Sequence, residues 1–262
     1  MIQRFTPLLI FAMGFLLTVS CRKNIGDKET IIAVDKEFEI IPWEKLDETG
    51  GTLQLRIATI QNQECGGTRI NYGIDATNNQ LTVTLKSLAY PAICNGFAEP
   101  ARDTISLPTA KKGDMSFKLT LKDVVINDGT LHVDDSRYTL NMKKENGISM
   151  PKKEILRVPQ GAIWGFISND NGQDERFTQM IDSLKTITTP LSLVGGDYGY
   201  FTYNGTDLGI AAKFVTQRPN IRRFIYHQTG SKDQLASMLK YFKGVAGMDY
   251  MVLTSDGKSY VK

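Results

Sequence analysis

Leu53-Gln54-Leu55-Arg56-Ile57 and Leu81-Thr82-Val83-Thr84-Leu85 carry an apolar side chain at every second position. A period of two turns one row of side chains into a core and the other toward water, which is the pattern of a strand buried on one face. Outward from these two runs, short alternating segments recur at Glu37 to Ile41, Thr52 to Ile60, Gln80 to Leu88, Asp103 to Leu107, Met115 to Lys122, Thr130 to Val133 and Tyr138 to Met142. Gly50-Gly51, Asn78-Asn79, Lys112-Gly113-Asp114 and Asn127-Asp128-Gly129 supply turn residues between them. No helical period interrupts the series. Short strands at this spacing predict an antiparallel β-sandwich rather than a barrel.

Within that region, Asp103-Thr104-Ile105-Ser106-Leu107-Pro108, then Gly113, then Ser116-Phe117-Lys118-Leu119-Thr120-Leu121 resembles the strand, proline turn and glycine turn of Ig-like modules in bacterial surface proteins. The resemblance implies an Ig-like β-sandwich over 35–147. Lys143-Lys144-Glu145-Asn146-Gly147 and Pro151-Lys152-Lys153 are charged and marked by Gly and Pro, which places a domain boundary near 148.

The second domain, 148–262, contains a repeat. At an offset of 58, Ile163, Phe166, Ile167, Gly172, Met180 and Lys185 recur as Ile221, Phe224, Ile225, Gly230, Met238 and Lys243. At an offset of 52, Asp197-Tyr198, Phe201-Thr202 and Asn204-Gly205 are matched by Asp249-Tyr250, Leu253-Thr254 and Asp256-Gly257. Each copy, about 161–210 and 219–262, reads as strand, helix, hairpin. Phe177, Met180, Ile181 and Leu184, and then Leu235, Met238, Leu239 and Phe242, form the stripe of a helix lying on a sheet. Ser231 with Gln234 is a capping box, and Asn204-Gly205 and Asp256-Gly257 suit two-residue hairpin turns. The expected fold class is thus mainly β plus α+β: the sandwich, followed by one antiparallel sheet with helices on one face. The duplicated strand-helix-strand pattern is similar in topology to the sporulation-related repeat domains that bind peptidoglycan.

The chain begins Met1-Ile2-Gln3-Arg4, runs through Leu8-Leu9-Ile10-Phe11-Ala12-Met13-Gly14-Phe15-Leu16-Leu17 without a charge, and reaches Thr18-Val19-Ser20-Cys21. A basic start, a short apolar run and a small residue before the cut make a secretory signal over 1–20. The run is shorter than the roughly 20 residues a spanning helix needs. The placement of Cys21 resembles the lipobox of bacterial lipoproteins, although Thr18 stands where Leu is usual. That resemblance implies a lipidated Cys21 at the mature N-terminus, a tether over 21–34, and anchorage in the cell envelope. The same resemblance links Asp after the lipidated Cys to inner-membrane retention, so Arg22 in that place implies the outer membrane. Lipidation of Cys21 leaves Cys65 and Cys94, which in an oxidising compartment are expected to pair; two buried free thiols are the alternative.

A net charge of +3, without a dense Lys/Arg cluster, gives no nucleic-acid footprint. His132 and His227 have no Cys or second His at ligand spacing, so neither a zinc site nor another cofactor is implied. Asn169 to Glu175 fails as a calcium loop, because fixing Gly172 at the sixth position puts Ile167 at the first and Thr178 at the twelfth. The adjacent acids Asp134-Asp135 and Asp174-Glu175 read as turn residues rather than an acid and base pair.

The remaining candidate is aromatic. Alternation places Trp164 and Phe166 on one face of the first repeat's strand and Phe224 and Tyr226 on the equivalent face of the second, away from an Ile face of Ile163, Ile167, Ile221 and Ile225. Either that aromatic face is covered or it is a ligand-binding platform. The function expected is a non-enzymatic, lipid-anchored envelope protein binding a glycan, peptide or protein partner. An envelope hydrolase or enzyme inhibitor working through an inter-domain cleft, and a structural assembly subunit, are the alternatives. Cys21→Ser is expected to leave the chain unprocessed and unlabelled by radioactive fatty acid; cleavage and labelling of that variant would refute the lipoprotein assignment.

Overall fold

The computed structural model describes residues 35–262 apart from 49, 78, 95, 109–110, 171–174 and 211–217. The signal-like run, Cys21 and the tether lie outside the described residues, as do the core of the polar run after Asp170 and the acid Asp174.

Ten strands come first: β1 (Phe38–Lys45), β2 (Thr52–Gln63), β3 (Arg69–Ala76), β4 (Gln80–Ala89), β5 (Glu99–Ser106), β6 (Gly113–Leu121), β7 (Val125–Val133), β8 (Arg137–Met142), β9 (Ile148–Ser149) and β10 (Glu154–Leu156). They form two sheets, β5-β2-β1-β9 and β10-β8-β7-β6-β4-β3. Leu53, Leu55 and Ile57 of β2 meet Leu81, Val83 and Leu85 of β4 in one core with Phe117 and Leu131, so the predicted β-sandwich is present. Two of its pairings, β4 with β6 and β1 with β9, are parallel. β3 has no readable alternation because it lies at a sheet edge and buries only Ile70.

Two expectations about this region are corrected. Asn127-Asp128-Gly129 is not a turn but the middle of β7. The Asn127 amide donates to Asn146 O (2.9 Å) and its Oδ1 accepts from Asn146 N (2.8 Å), while a Cβ at Gly129 would strike the Asn141 carbonyl of β8. Polarity and glycine here serve a strand that closely approaches two neighbours. The boundary expected near 148 also moves, because β9 and β10 pair with β1 and β8, and Ile148, Met150 and Ile155 join the sandwich core. The charged stretch is a surface path within the sandwich, and the passage to the next layer begins at Arg157.

The rest of the chain runs β11 (Ala162–Asn169), α1 (Glu175–Thr186), β12 (Thr188–Pro190), β13 (Gly196–Asp197), β14 (Phe201–Tyr203), β15 (Leu208–Ile210), β16 (Asn220–Gln228), α2 (Lys232–Lys243), β17 (Met248–Thr254) and β18 (Ser259–Val261). The main sheet has the order β12-β16-β11-β17-β18, antiparallel throughout. Each strand-helix-strand unit is split by a strand of the other: β12 pairs with β16, and β17 with β11. The first copy's hairpin does not enter this sheet as expected. Instead β13, β14 and β15 make a separate three-stranded sheet, and the loop between Tyr203 and Leu208 holds four residues, 204–207, rather than two. The capping box at Ser231 and Gln234 is formed.

Both helices lie on one face, where Phe177, Met180, Ile181 and Leu184 of α1 and Leu235, Leu239 and Phe242 of α2 pack on Ile163 and Ile167. The predicted division of aromatic and Ile faces fails on β16. Ile163 is opposite Tyr226 and Trp164 opposite Ile225, so Phe224 and Tyr226 point to the helices and Ile225 shares the side of Trp164. The helix stripes correspond at the offset of 58, but the helix-facing rows of the strands, Ile163 and Ile167 against Phe224 and Tyr226, correspond only at an odd offset, and a slip of one residue turns every strand side chain to the other face. The copies space strand and helix differently, 170–174 against 229–231.

The opposite face is covered. Trp164 (0% exposed) and Phe166 (8%) lie under Tyr198, Phe201 and Leu208, with Leu46 from the sandwich in the same cluster. Trp164→Ala is therefore expected to lower stability by about 3–5 kcal/mol in chemical denaturation. A change under about 0.5 kcal/mol would mean that this ring does not support the layer above it.

Candidate functional site

β1 alternates Phe38, Ile40, Pro42 and Glu44 into the interior, so the inward row ends on a carboxylate. Glu44 is 1% exposed, and each of its oxygens is engaged. Oε2 accepts from Val158 N at 2.8 Å; Oε1 accepts from Arg157 Nε at 3.2 Å and from the Tyr138 hydroxyl at 3.3 Å. Arg157 in turn donates through Nη1 to Asp134 O at 3.0 Å and lies 4.9 Å from the Tyr138 ring centroid. A Cβ on Gly51 would collide with the Glu44 carboxylate, which accounts for glycine there. Burial pushes the Glu44 carboxyl above the ordinary range, and the bonds from Val158 and Arg157 oppose that rise.

Aromatic contacts continue the seam. Arg56 stacks 3.3 Å from the Trp43 ring, Trp43 packs on Tyr200 (4.9 Å), Tyr200 on Trp164 (5.9 Å), and Trp164 on Phe201 (5.2 Å). The Tyr200 hydroxyl accepts from Leu46 N at 3.3 Å, and Lys152 pairs with Asp197. At the other end of the seam Gly257, at φ 81°, presses its turn onto the Leu46 carbonyl, leaving no room for a Cβ. Val34–Lys262 accordingly forms one compact unit.

Above Glu44 the seam opens into a cleft of about 650 Å³. One wall is the β1–β2 hairpin with Asp47, Glu48 and Gly51, the back is Arg157 to Gly161, and the far wall is the α2 N-terminus and the β17–β18 turn. Charges at its far wall are already paired, once across the seam. Lys258 reaches Glu48 at 3.3 Å and Asp256 at 3.9 Å, and Lys232 reaches Asp256 at 2.6 Å. Burial would raise the Asp256 carboxyl, but the hydrogen bonds from Lys232 and Thr254 outweigh it and hold it below its usual value. The neutral lining joins Val158 and Pro159 to amide and hydroxyl groups of Gln160, Gln228, Ser231 and Ser255 and to the backbone of Gly161, whose N–H donates to Ser255 Oγ at 2.8 Å. Donors and acceptors of both signs suit a polyhydroxylated or amide-rich ligand, and Glu44 is sealed behind Gly51, Arg157 and Val158 rather than presented to it.

The residues singled out from sequence are not brought together at this cleft. Trp164, Phe166 and Phe224 are core, Tyr226 is partly buried against the helix layer, and no open platform of the four exists. Cys65 and Cys94 are disulfide-bonded, with Cα atoms 5.1 Å apart, at the end of β1–β2 away from the cleft. His132 is half-buried and 2.6 Å from Asp114, and His227 packs beside Gly161. Asp134 caps the Ser136–Arg137 turn, and Asp135 pairs with Lys112. Among the described residues no three His, Cys, Asp or Glu side chains gather as metal ligands. Glu44 and Arg157 went unread, although Glu44 continues the inward row of β1. No family model, curated protein or solved structure matches the chain.

Glu44→Ala is expected to cost about 3–5 kcal/mol, because it leaves a half-buried guanidinium and the Val158 N–H without their acceptor. Glu44→Gln tests the titration. A carboxyl raised by folding makes the native state bind more protons, so its ionisation subtracts stability as pH rises above the ordinary glutamate range. The stability of wild type relative to Glu44→Gln should therefore fall with rising pH and then level. A difference that grows with pH would show that the seam favours the charged form.

Proposed function

We propose that this chain is a lipid-anchored envelope protein, held through Cys21 in the outer membrane, that binds a glycan in the seam cleft without chemically altering it. The observation that carries the reading is the cleft itself. Its walls come from both halves of a unit locked by Glu44, Arg157 and the Trp43–Tyr200–Trp164 contacts, so its polar groups are preorganised. Side-chain amides, hydroxyls and paired charges match the alternating donors and acceptors of a sugar chain. The signal-like N-terminus and the Cys65–Cys94 disulfide support export to an oxidising compartment. The duplicated strand-helix-strand pattern, which resembles that of the sporulation-related repeat domains, makes peptidoglycan the first ligand to test.

The full chain is expected to co-sediment with purified peptidoglycan sacculi. Gln160→Ala combined with Lys232→Ala should weaken that binding by about tenfold, the loss of one or two polar contacts, while leaving the unfolding midpoint nearly unchanged. Wild-type protein that stays in the supernatant, or a double variant that binds as well as wild type, would refute the glycan assignment to this cleft.

A further inference from the structure

At the end of the sandwich opposite the cleft, large apolar side chains stand in water: Ile93 is 87% exposed, Val124 80%, Phe97 75%, Tyr90 60% and Ile60 47%. They come from three separate places in the chain that the fold brings to one rim. Ile60 N donates to Glu37 O at 2.9 Å, next to the start of β1. Lys122 N donates to Leu85 O at 2.8 Å and its ammonium lies 3.3 Å from Glu37, which brings the Lys122–Val124 turn to the same place. Tyr90 reaches Gln63 at 3.4 Å, and the Cys65–Cys94 disulfide holds Ile93 beside the end of β2. A crevice lined by Asp35, Glu37, Gln63, Leu88 and Lys122 confirms that these segments adjoin.

Chain direction gives this rim its meaning. In the β1–β2 ladder Phe38 is opposite Thr59 and Lys45 opposite Thr52, so the described chain starts at the apolar rim and the cleft lies at the far end of the same ladder. Seven residue steps of strand separate the two ends, roughly 23 Å. Cys21 stands fourteen positions before Asp35, so a lipid there is tethered within about 50 Å of the rim even if that segment is fully extended. Such a tether keeps a weakly binding surface at an effective concentration on the order of millimolar.

We infer that the Ile60, Tyr90, Ile93, Phe97 and Val124 rim docks into the interfacial layer of the bilayer that holds the anchor. Tyr and Phe suit the headgroup boundary and Ile and Val the acyl edge, while the adjoining crevice carries Lys36 and Lys86 beside Asp35 and the Lys122–Glu37 pair, a nearly balanced set that leaves the apolar side chains to drive docking. Docked this way, the molecule stands on its disulfide end and presents the cleft away from the membrane. The inference rests on the lipid anchor proposed above, but its test separates the two.

Full-length wild type, Ile93→Trp, Val124→Trp and, as a control on β16, Ile221→Trp are reconstituted into phosphatidylethanolamine and phosphatidylglycerol vesicles carrying brominated acyl chains. The same samples are assayed for fatty acid on Cys21. Ile93→Trp and Val124→Trp should each lose roughly twofold more emission to the bromolipid than Ile221→Trp does. If neither is quenched beyond the control, the rim does not meet the bilayer and the inference is overturned, even with the lipid in place. Quenching of both without lipid on Cys21 would support the docking surface and remove the anchor.

Discussion

A carboxylate withdrawn from water costs several kcal/mol unless its oxygens are bonded and its charge matched, and Glu44 meets that demand where the chain leaves the sandwich for the duplicated layer. The Val158 N–H and the Arg157 guanidinium come from the passage that leaves the sandwich after β10, and Tyr138 comes from β8, so the carboxylate ties that passage back onto the sandwich. It fixes the direction in which the chain enters β11, and with it the position of the sheet beneath the cleft.

The aromatic seam follows from that constraint. Trp164 and Phe166 sit on the sheet face that the helices leave uncovered, and a sheet with one bare apolar face needs a second layer. Here the layer is the small β13–β15 sheet, with Leu46 reaching in from the sandwich and Trp43 and Tyr200 closing the edge. Hydrophobic cover and buried charge therefore lie side by side, one supplying burial and the other a specific register. The cleft is the space the seam leaves where paired charges and amides remain accessible to water.

The two poles of the sandwich then carry different chemistry. At the seam, charges are matched across the two halves, and at the disulfide end large apolar side chains are exposed around the start of β1. β1 and β2 connect them directly, so an orientation imposed at one end is transmitted as a rigid rotation to the other. The proposed binding cleft and the proposed membrane-docking rim stand at opposite ends of that one ladder.

Strands of period two, helix stripes, the capping box and the pairing of two of three cysteines were legible in the residues, because each depends on neighbours within a few positions or on chemistry that needs no geometry. The duplication was legible in outline, and the helix faces followed it. The face assignment of β16 was not, since an offset that aligns residues does not report on which side a strand turns, and one residue of slip inverts the answer. Asn127 and Gly129 looked like a turn because their partners, Asn146 and Asn141, are distant in sequence. The cleft could not have been assembled from the chain at all: Asp47, Arg157, Lys232 and Asp256 lie more than two hundred residues apart end to end. Local periodicity decides which side of a strand is apolar, whereas the meeting of distant polar groups depends on how two layers dock. In this protein that docking is governed by a buried carboxylate and a layer of aromatic rings.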